Sequence, residues 1–510
     1  MIVIRLAFVM VLVGLAACGP ERDRECTAET TDLTSDPENC GSCGNVCGDG
    51  YACIDSRCLI GLCQPGTVEE CYTGAEDTNG VGPCKGGTRV CGRTGTWSAC
   101  EGEVTPVAEN CTDGIDNNCN GMTDEDVDLD QDGFTTCGVP GLIPGDCCDW
   151  TECSKPEAVN PGAYDAVGNG IDDDCNGVVD DTALLCDQGI NSGTTDAFDF
   201  AKAIDICQVT TPQDYRWGVI EAKLSLTDGT GTPDREGHAV RPRFGANLIP
   251  QGGVSLAIIS SGGAAAKNDT NPGYHPWGGY THTGVNSAPY PADWYMANQN
   301  KLPNAPGCAV SGATEANDPV MLTLRLRVPT NARSFKLSTN FFSAEFPEYT
   351  CSSFNDFFVV LLDSSFKGNP AQGIPDNPAD KNLAFFQPMG TMDKFPVGVN
   401  LAYGNTGLFT QCVNGATGCS GKAGNINTCT STDQLIGTGF DDVANSCGTS
   451  GQLVGGGTGW LVTAGNVVPG EIITLRIAVW DTGDHILDSL AIIDGFAWST
   501  DPVNPGTVIF

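Results

Sequence analysis

The stretch VMLTLRLRVP, residues 320–329, alternates apolar and polar side chains with a period of two. Its apolar positions are Leu322, Leu324, Leu326 and Val328. Successive side chains of a β-strand point to opposite faces, so this pattern predicts a strand that buries one face and leaves the other to solvent.

Similar segments occur on both sides of it. SFKLSTNFF at 334–342 and EIITLRIAVWD at 471–481 alternate in the same way, whereas DFFVVLLD at 356–363 and SLAIID at 489–494 are continuous apolar runs. Such runs are typical of strands buried on both faces. Only DAFDFAKAIDIC at 196–207 has helical spacing. The chain is therefore predicted to be mainly β, with a large antiparallel β-sandwich or jelly roll at 183–510 preceded by disulfide-rich, loop-rich small modules.

Two short segments upstream are rich in cysteine and poor in large apolar residues. Residues 39–63 contain Cys40, Cys43, Cys47, Cys53, Cys58 and Cys63, and residues 64–105 contain Cys71, Cys84, Cys91 and Cys100. Crosslinks must replace a hydrophobic core in such segments, so each is predicted to be a disulfide-stapled module. Zinc held by Cys40, Cys43 and Cys47 is the alternative, although no histidine precedes His238.

The first residues resemble a bacterial lipoprotein leader. MIVIR carries one cation, an apolar run follows at 6–15, and Leu15, Ala16 and Ala17 stand directly before Cys18. The resemblance implies a signal peptide at 1–17, lipidation of Cys18 and a polar tether at 18–38. The membrane is thus an expected partner, through this lipid. The residue after Cys18 is glycine rather than aspartate, which favours an outer-membrane location. Exposure at the cell surface is a separate expectation that this residue does not decide.

Cysteine count and charge agree with export and exclude one class of partner. Of 27 cysteines, 26 remain after Cys18, an even number that permits complete pairing in an oxidising compartment. The formal net charge is -38, and residues 106–182 hold 19 acidic residues against the single cation Lys155. A field of this sign repels nucleic acid and attracts divalent cations.

Residues 106–182 contain three segments with oxygen-bearing side chains at alternate positions before a glycine. We name them the first loop (116–121), the middle loop (128–133) and the last loop (172–177). This is the opening half of a calcium loop, in which positions 1, 3 and 5 supply side-chain oxygens and position 6 is glycine. The predicted metal ligands are Asp116, Asn118, Asn120, Asp124, Asp128, Asp130, Asp132, Asp172, Asp174, Asn176 and Asp180.

The usual bidentate glutamate at position 12 is missing, because Val127, Val139 and Ala183 stand there. Further oxygens must come from elsewhere, and the nearby candidates are Glu125, Asp126, Asp146, Asp149 and Asp181. An acidic, solvated spacer that binds ions only diffusely is the alternative to ordered calcium sites.

CTDGIDNNCNG at 111–121, DLDQDGF at 128–134 and GNGIDDDCNG at 168–177 resemble the Asp- and Cys-rich repeats of the MopE family, whose model is named for copper. Copper is not expected here, because it prefers imidazole or thiolate ligands and this segment has no histidine. Calcium is the predicted cofactor. Cys148 replaces an expected aspartate and needs a partner, for which Cys137 and Cys153 are the candidates.

NLIPQGGVSLAIISSGGA, FFSAEFPEYTCSSFNDFFVVLLD and VVPGEIITLRIAVWDTGDHILDSLAIIDGFAW resemble the landmarks of the choice-of-anchor L domain of bacterial surface proteins. Acidic and amide residues concentrate in two of these landmarks and predict a second metal site: Glu345, Asn355, Asp356, Asp481, Asp484 and Asp488, with Glu348 nearby. Alternatively, these side chains bind turn and loop amides.

Motifs of catalysis are missing. The sequence has no HExxH and no GxSxG, and its four histidines are scattered, so an enzyme is not expected. The sequence predicts a structural or adhesive surface protein whose calcium-stabilised acidic stalk displays a β-sandwich. A hydrolase or a carbohydrate-binding module is the alternative, the latter with a binding face at Trp277, Tyr280 and Trp294. A surface glycan or a protein is the expected ligand.

Overall fold

The structure is a computed structural model. It describes residues 32–48, 51–60, 63–92, 95–107, 109–110, 113–124, 128, 130–137, 143–149, 155–181, 185–277, 282, 286–404, 406–413, 416–417, 424–425, 429–442 and 455–509. The predicted signal peptide and the lipidation site at Cys18 lie outside these residues. No helix in the described part of the chain is long and apolar enough to cross a membrane.

The chain divides into two compact units, residues 1–125 and 126–510. The division falls inside the predicted acidic segment 106–182 rather than at its end. The first loop therefore belongs to the first unit, and the middle and last loops belong to the unit that contains the sandwich.

The first unit is built of short hairpins and disulfides. Its strands are β1 (Tyr51–Ile54), β2 (Arg57–Ile60), β3 (Val68–Cys71) and β4 (Gly87–Val90), and a 3-10 helix lies at Glu76–Thr78. β1 pairs with β2 and β3 with β4, both antiparallel. Its described disulfides are Cys40–Cys53, Cys47–Cys58, Cys63–Cys91, Cys71–Cys100 and Cys84–Cys119. The last three overlap along the chain, so crosslinks take the place of a core, as predicted.

The alternative prediction of a zinc site in the first module is wrong. Cys40 and Cys47 belong to two different disulfides, and Cys43 is also disulfide-bonded. The sulfur atoms of Cys40, Cys47 and Cys53 lie close together because these crosslinks are neighbours. Oxidised sulfur supplies no thiolate for a metal.

The second unit contains two α-helices and most of the strands. The helices are α1 (Ala197–Ala203) and α2 (Ala292–Ala297). The strands are β5 (Phe134–Thr135), β6 (Ile143–Pro144), β7 (Gly218–Ser225), β8 (His238–Arg241), β9 (Leu256–Ser260), β10 (Ser287–Ala288), β11 (Ala316–Arg327), β12 (Ser334–Ser343), β13 (Phe357–Asp363), β14 (Phe385–Phe386), β15 (Phe395–Pro396), β16 (Ala416–Thr417), β17 (Gly424–Asn425), β18 (Gly456–Gly457), β19 (Leu461–Asn466), β20 (Ile472–Asp481), β21 (Ser489–Ser499) and β22 (Gly506–Ile509). Short 3-10 helices lie at Pro156–Ala158, Arg235–Gly237, Pro370–Gln372, Val399–Ala402, Asp433–Leu435 and Phe440–Asp442.

Two antiparallel sheets form the predicted sandwich. The five-stranded sheet has the order β10-β11-β20-β13, with β7 also paired to β11. The seven-stranded sheet has the order β22-β19-β12-β21-β9-β8, with β18 also paired to β12. All five predicted strand segments lie in these sheets, within β11, β12, β13, β20 and β21 or at their ends.

The main core lies between the facing sides of the two sheets. Leu322, Leu324 and Leu326 of β11 pack there in one cluster with Phe335 and Leu337 of β12. The outer faces are covered too, since Trp294 of α2 packs on one sheet with Trp480. Every residue of β13 from Phe357 to Leu362 is buried, as its continuous apolar run predicts.

The single predicted helix is confirmed but is shorter than its apolar spacing. α1 begins after Asp196, whose side chain accepts a hydrogen bond from the amide of Phe198. It ends at Ala203 because Asp205 has a left-handed backbone with φ +72°. Cys207, included in the predicted helix, instead forms a disulfide with Cys186.

Candidate metal centre

The three acidic loops share one pattern of hydrogen bonds. In the middle loop, the two carboxylate oxygens of Asp128 accept hydrogen bonds from the amides of Asp132 and Gly133, both at 3.1 Å. Two more side-chain oxygens, at the third and fifth positions, accept backbone amides two residues further on. The first and last loops repeat all four hydrogen bonds, with Asp116 and Asp172 in the place of Asp128. Each loop is therefore wound around its own polar side chains.

Two positions in each loop have left-handed backbone. The glycines at position 6 have φ values of +92°, +97° and +91° at Gly121, Gly133 and Gly177. Position 4 has φ values of +59°, +66° and +57° at Cys119, Gln131 and Cys175. Glycine is needed at position 6 for the sharp turn of a calcium loop, so all three loops meet the backbone requirement that their spacing predicts.

The middle loop gathers the densest set of carboxylates. One carboxylate oxygen from each of Asp128, Asp130 and Asp149 lies within 4.8 Å of the other two. The same holds for Asp130, Asp132 and Asp146, so Asp130 belongs to both groups. A Ca²⁺ ion binds oxygens at 2.3–2.6 Å, and two oxygens on opposite sides of it are therefore ~5 Å apart. The carboxylates are already spaced to surround an ion.

A short parallel pairing brings Asp146 and Asp149 to the middle loop. β5 follows the loop directly and pairs in parallel with β6. The pairing continues after β6, where the amide of Asp146 donates to the carbonyl of Thr135 at 3.1 Å. The sequence predicts Asp146 and Asp149 only as nearby candidates, because spacing alone does not reveal this pairing. In a metal site they would take the place of the absent position 12 glutamate.

These carboxylates lack compensating charge. Asp146 is 2% exposed, and no described lysine or arginine forms an ion pair with Asp130, Asp132 or Asp146. Burial, followed by repulsion from neighbouring carboxylates, raises the pKa of Asp130 to about 7 and that of Asp146 to about 8. A divalent cation would reverse these shifts, because it stabilises the charged carboxylates.

Two buried oxygens of this cluster have no hydrogen-bond donor among the described residues. They are Oδ2 of Asp130 and Oδ2 of Asp146. Their partner oxygens accept the amides of Asp132 and Cys148 and so fix both side chains. Buried carboxylate oxygens without donors are costly unless a cation binds them, and an all-oxygen set of this density suits Ca²⁺. The residues present therefore fit calcium, and Asp128, Asp130, Asp132, Asp146 and Asp149 are the side chains that would hold it.

Asn160 links the middle loop to the sandwich. Its side-chain amide donates to Asp132 Oδ2 at 2.7 Å, and its side-chain oxygen accepts from the hydroxyl of Thr330 at 2.6 Å. Thr330 lies between β11 and β12, and its amide donates to the carbonyl of Gly162. Asn160 is fully buried, so the loop is fixed to the end of a core strand.

Disulfides hold the first and last loops instead. Cys119 at position 4 pairs with Cys84, and Cys175 at the same position pairs with Cys147. Cys137 and Cys148 are each disulfide-bonded, so the predicted need of Cys148 for a partner is met.

A carboxylate seven residues before each of these two loops was missed by the sequence argument. Glu109 accepts the amides of Asn117 and Asn118, and Asp165 accepts the amide of Asp173. Glu109 and Asp165 are 56 positions apart, which is the offset between the loops themselves. Extending the repeat backwards along the sequence would have revealed them.

The carboxylates at position 9 accept hydrogen bonds from the backbone just before the first and last loops. Asp124 accepts the amide of Gly114 with both oxygens, at 3.1 and 3.2 Å. Asp180 Oδ1 accepts three successive amides, of Gly168, Asn169 and Gly170. These two predicted ligands thus hold the chain that enters each loop, and the first and last loops have fewer carboxylates for an ion than the middle loop has.

Most residues of the predicted second site are buried at one end of the sandwich, but no three of these described residues have carboxylate oxygens within 4.8 Å of one another. Glu345, Asp356, Asp481 and Asp488 are each no more than 2% exposed, whereas Asp484 is half-buried. Asn355 does not belong with them, because its side-chain oxygen accepts the amide of Asn400 at 2.8 Å, as the loop-amide alternative predicts.

Asp318 was missed and lies beside two histidines. The carboxylate of Asp318 is 2.7 Å from Nδ1 of His485 and 3.8 Å from Nε2 of His282.

The predicted aromatic face for a glycan is wrong for its two described tryptophans. Trp277 is 2% exposed and stacks on Phe440 with ring centroids 4.1 Å apart. Trp294 is fully buried. Both tryptophans are core residues, and Tyr280 lies outside the described residues.

The comparison with known families agrees with the loop geometry. Residues 103–125 and 156–181 match the family model Cu-binding MopE, which describes a proposed metal-binding motif. The matched stretches contain the first and last loops, and the middle loop lies between them. No curated protein and no solved structure matches the chain. The chain is therefore similar to MopE in a metal-binding motif, which confirms that part of the sequence argument.

Proposed function

We propose that the acidic repeats bind calcium and that the protein is a lipid-anchored surface protein with a structural or adhesive role. The observation that carries the calcium proposal is the middle-loop cluster, in which two groups of three carboxylates share Asp130 and two buried oxygens have no donor among the described residues. Extracellular calcium concentrations suit sites of this kind, whose dissociation constants reach ~10⁻⁴–10⁻³ M in extracellular modules.

Calcium at the middle loop would stiffen the base of the displayed domain. The support is Asn160, which joins Asp132 to Thr330 at the end of β11. An ion that fixes Asp132 also fixes this connection. The first unit does not need an ion in this proposal, because its disulfides keep it ordered. Lipid attachment at Cys18 and an outer-membrane location complete the proposal and rest on the leader alone.

Calorimetric titration of the full chain with CaCl2 tests the metal proposal. Asp130→Asn with Asp146→Asn should remove about one bound Ca²⁺ per chain and reduce the calcium-induced rise in Tm, since binding at ~100 Kd contributes ~2.7 kcal/mol. Asp228→Asn, an exposed turn carboxylate in the sandwich, is the matched control and should change neither quantity. Equal stoichiometry in all three proteins would refute the site.

Lipid anchoring and display need a separate experiment. Radiolabelled palmitate should enter the full chain and not its Cys18→Ser variant, and protease added to intact cells should cleave the sandwich unit. A protected sandwich would place it in the periplasm and overturn the display role without affecting the calcium site.

A further inference from the structure

A second carboxylate cluster lies at one end of the sandwich, where strands of both sheets end. In the five-stranded sheet, Asp481 ends β20 and pairs with Asn317, and Asp356 directly precedes β13. In the seven-stranded sheet, Ser343 ends β12 and pairs with Ser489, the first residue of β21. Glu345 and Asp488 are the acidic residues just beyond these last two positions. The register of two sheets thus places four carboxylates at the same end.

Hydrogen bonds across the sheets hold these carboxylates in place. The hydroxyl of Ser489 donates to Asp356 Oδ2 at 2.6 Å, and the amide of Thr482 donates to Asp356 Oδ1 at 3.1 Å. The hydroxyl of Ser261 donates to Asp481 Oδ1. Each serine belongs to the seven-stranded sheet or its end, and each carboxylate belongs to the five-stranded sheet. The cluster therefore lies where the two sheets meet.

Two oxygens in the cluster have no donor among the described residues. Oε2 of Glu345 and Oδ2 of Asp481 are buried and unpartnered, and both residues are 1% exposed. No described lysine or arginine forms an ion pair with Glu345, Asp356, Asp481 or Asp488. Several buried carboxylates without positive charge cost several kcal/mol each on general grounds. Either protons or a cation must compensate them.

The backbone of Gly262 packs closely against the carboxylate of Asp488. A Cβ atom at Gly262 would lie 2.3 Å from Asp488 Oδ2, so only glycine permits this approach. Burial, together with repulsion from its neighbours, raises the pKa of Asp488 well above its usual range. The backbone therefore makes room for a carboxylate that is costly to bury.

We propose that this end of the sandwich binds a hard divalent cation, Ca²⁺, through Glu345, Asp481 and Asp488 with Asp356 beside them. Ca²⁺ fits better than Mg²⁺, because Mg²⁺ retains several waters and these side chains are buried. The ion would join the two sheets, since Asp481 belongs to one and Glu345 and Asp488 to the ends of the other. This site is separate from the acidic repeats and does not depend on the function proposed for them.

Glu345→Gln in the full chain tests the site. The variant should bind about one fewer Ca²⁺ per chain in equilibrium dialysis and show a smaller calcium-induced rise in Tm. In EDTA its Tm should be higher than that of the wild type, because the substitution removes a buried charge without a partner. Asp481→Asn should show the same three changes in calcium stoichiometry, in the calcium-induced rise in Tm and in the Tm in EDTA. An unchanged calcium stoichiometry in both variants would overturn the proposal and show that the cluster holds protons only.

Asp494→Asn is the matched control. Asp494 is fully buried in β21 but accepts backbone amides of Gln251 and Gly252, so its substitution should leave calcium stoichiometry unchanged. Loss of one Ca²⁺ in this variant as well would mean that the effect is not specific to the cluster, and would count against the site.

Hydrogen exchange of the wild-type chain provides a second measurement that needs no folded variant. Adding CaCl2 should slow amide exchange at residues 343–348 and 481–489, separately from any change at 128–149. Unchanged exchange at both sandwich segments would overturn the site even if the loops respond. Slower exchange there with no response at 128–149 would support this site and refute the proposed loop site.

Discussion

The first loop and the middle loop have the same hydrogen-bond pattern but are held by different means. Cys119 crosslinks the first loop to Cys84, whereas the middle loop has Gln131 at that position. The middle loop instead receives Asp146 and Asp149 from the segment after β6. A crosslink keeps its geometry without an ion, whereas clustered carboxylates repel one another until an ion is present. The same type of loop can therefore be a permanent structural element or an ion-dependent one.

Removal of the Cys84–Cys119 crosslink should have the largest effect, because it takes away what holds the first loop without an ion. Cys84→Ser with Cys119→Ser opens a loop with a sequence separation of 35 residues. We expect a loss of ~3 kcal/mol of stability in the first unit and faster hydrogen exchange at 113–124. Denaturant unfolding and mass-resolved exchange measure the two effects.

The control for that variant is Cys71→Ser with Cys100→Ser, whose separation is 29. It should destabilise the first unit by a similar amount, because the loop lengths are alike. Exchange at 113–124 should stay slow in the native state. Equal exchange in the two variants would show that Cys119 has no special role in ordering the first loop.

The second largest effect should be a pH dependence of stability that arises from the carboxylates of the middle loop. In calcium-free protein the pKa of Asp130 is raised to about 7 and that of Asp146 to about 8, mainly by burial. Unfolded aspartate has a pKa of about 3.9, so the folded state binds more protons between these limits. Stability without calcium should therefore fall as pH rises from about 4 to about 8, by roughly 1–2 kcal/mol after allowance for solvent screening.

Calcium should reverse this slope, because it binds only the charged carboxylates. Thermal unfolding at several pH values, in EDTA and in CaCl2, measures both slopes. The Asp130→Asn, Asp146→Asn variant should have a flatter slope in EDTA. A wild-type protein that becomes more stable with rising pH in EDTA would contradict the electrostatic account of this cluster.

The smallest expected effect concerns the turn glycine. Gly133→Ala places a side chain at φ +97° and should cost ~1 kcal/mol, which corresponds to roughly a fivefold loss of calcium affinity at the middle loop. Gly390→Ala, at φ +77° with open space around its Cβ position, should cost a similar amount of stability and leave calcium affinity unchanged. Titration calorimetry on both variants measures the difference.

The strands could be predicted from the sequence because their cores depend on local alternation. Leu322, Leu324 and Leu326 lie on one face of β11 for a reason visible in ten residues. The loop conformation is also determined by nearby residues, since each side chain binds an amide two to five residues away. In both cases a short segment contains all the groups that determine its structure.

The complete metal centre could not be predicted in this way. Asp146 reaches the middle loop through the parallel pairing of β5 with β6, and parallel pairing leaves no local signal in strands of two residues. Asp318 stands beside His485 although they are 167 positions apart. Disulfide pairing also depends on the folded chain, so the crosslink between Cys84 and Cys119 crossed the predicted boundary at residue 105.

The overlapping disulfides of the first unit have a consequence for extensibility under tension. Cys63 and Cys119 are 119 - 63 = 56 positions apart, but the covalent path between them runs through Cys63–Cys91, back along the chain to Cys84, and through Cys84–Cys119. That path contains 91 - 84 = 7 residue steps. With ~3.4 Å per residue and 5.8 and 6.1 Å between the Cα atoms of the two disulfides, this path spans at most ~36 Å, whereas 56 residues without crosslinks would span ~190 Å. Tension applied between these two cysteines would therefore pass through the first unit almost without stretching it.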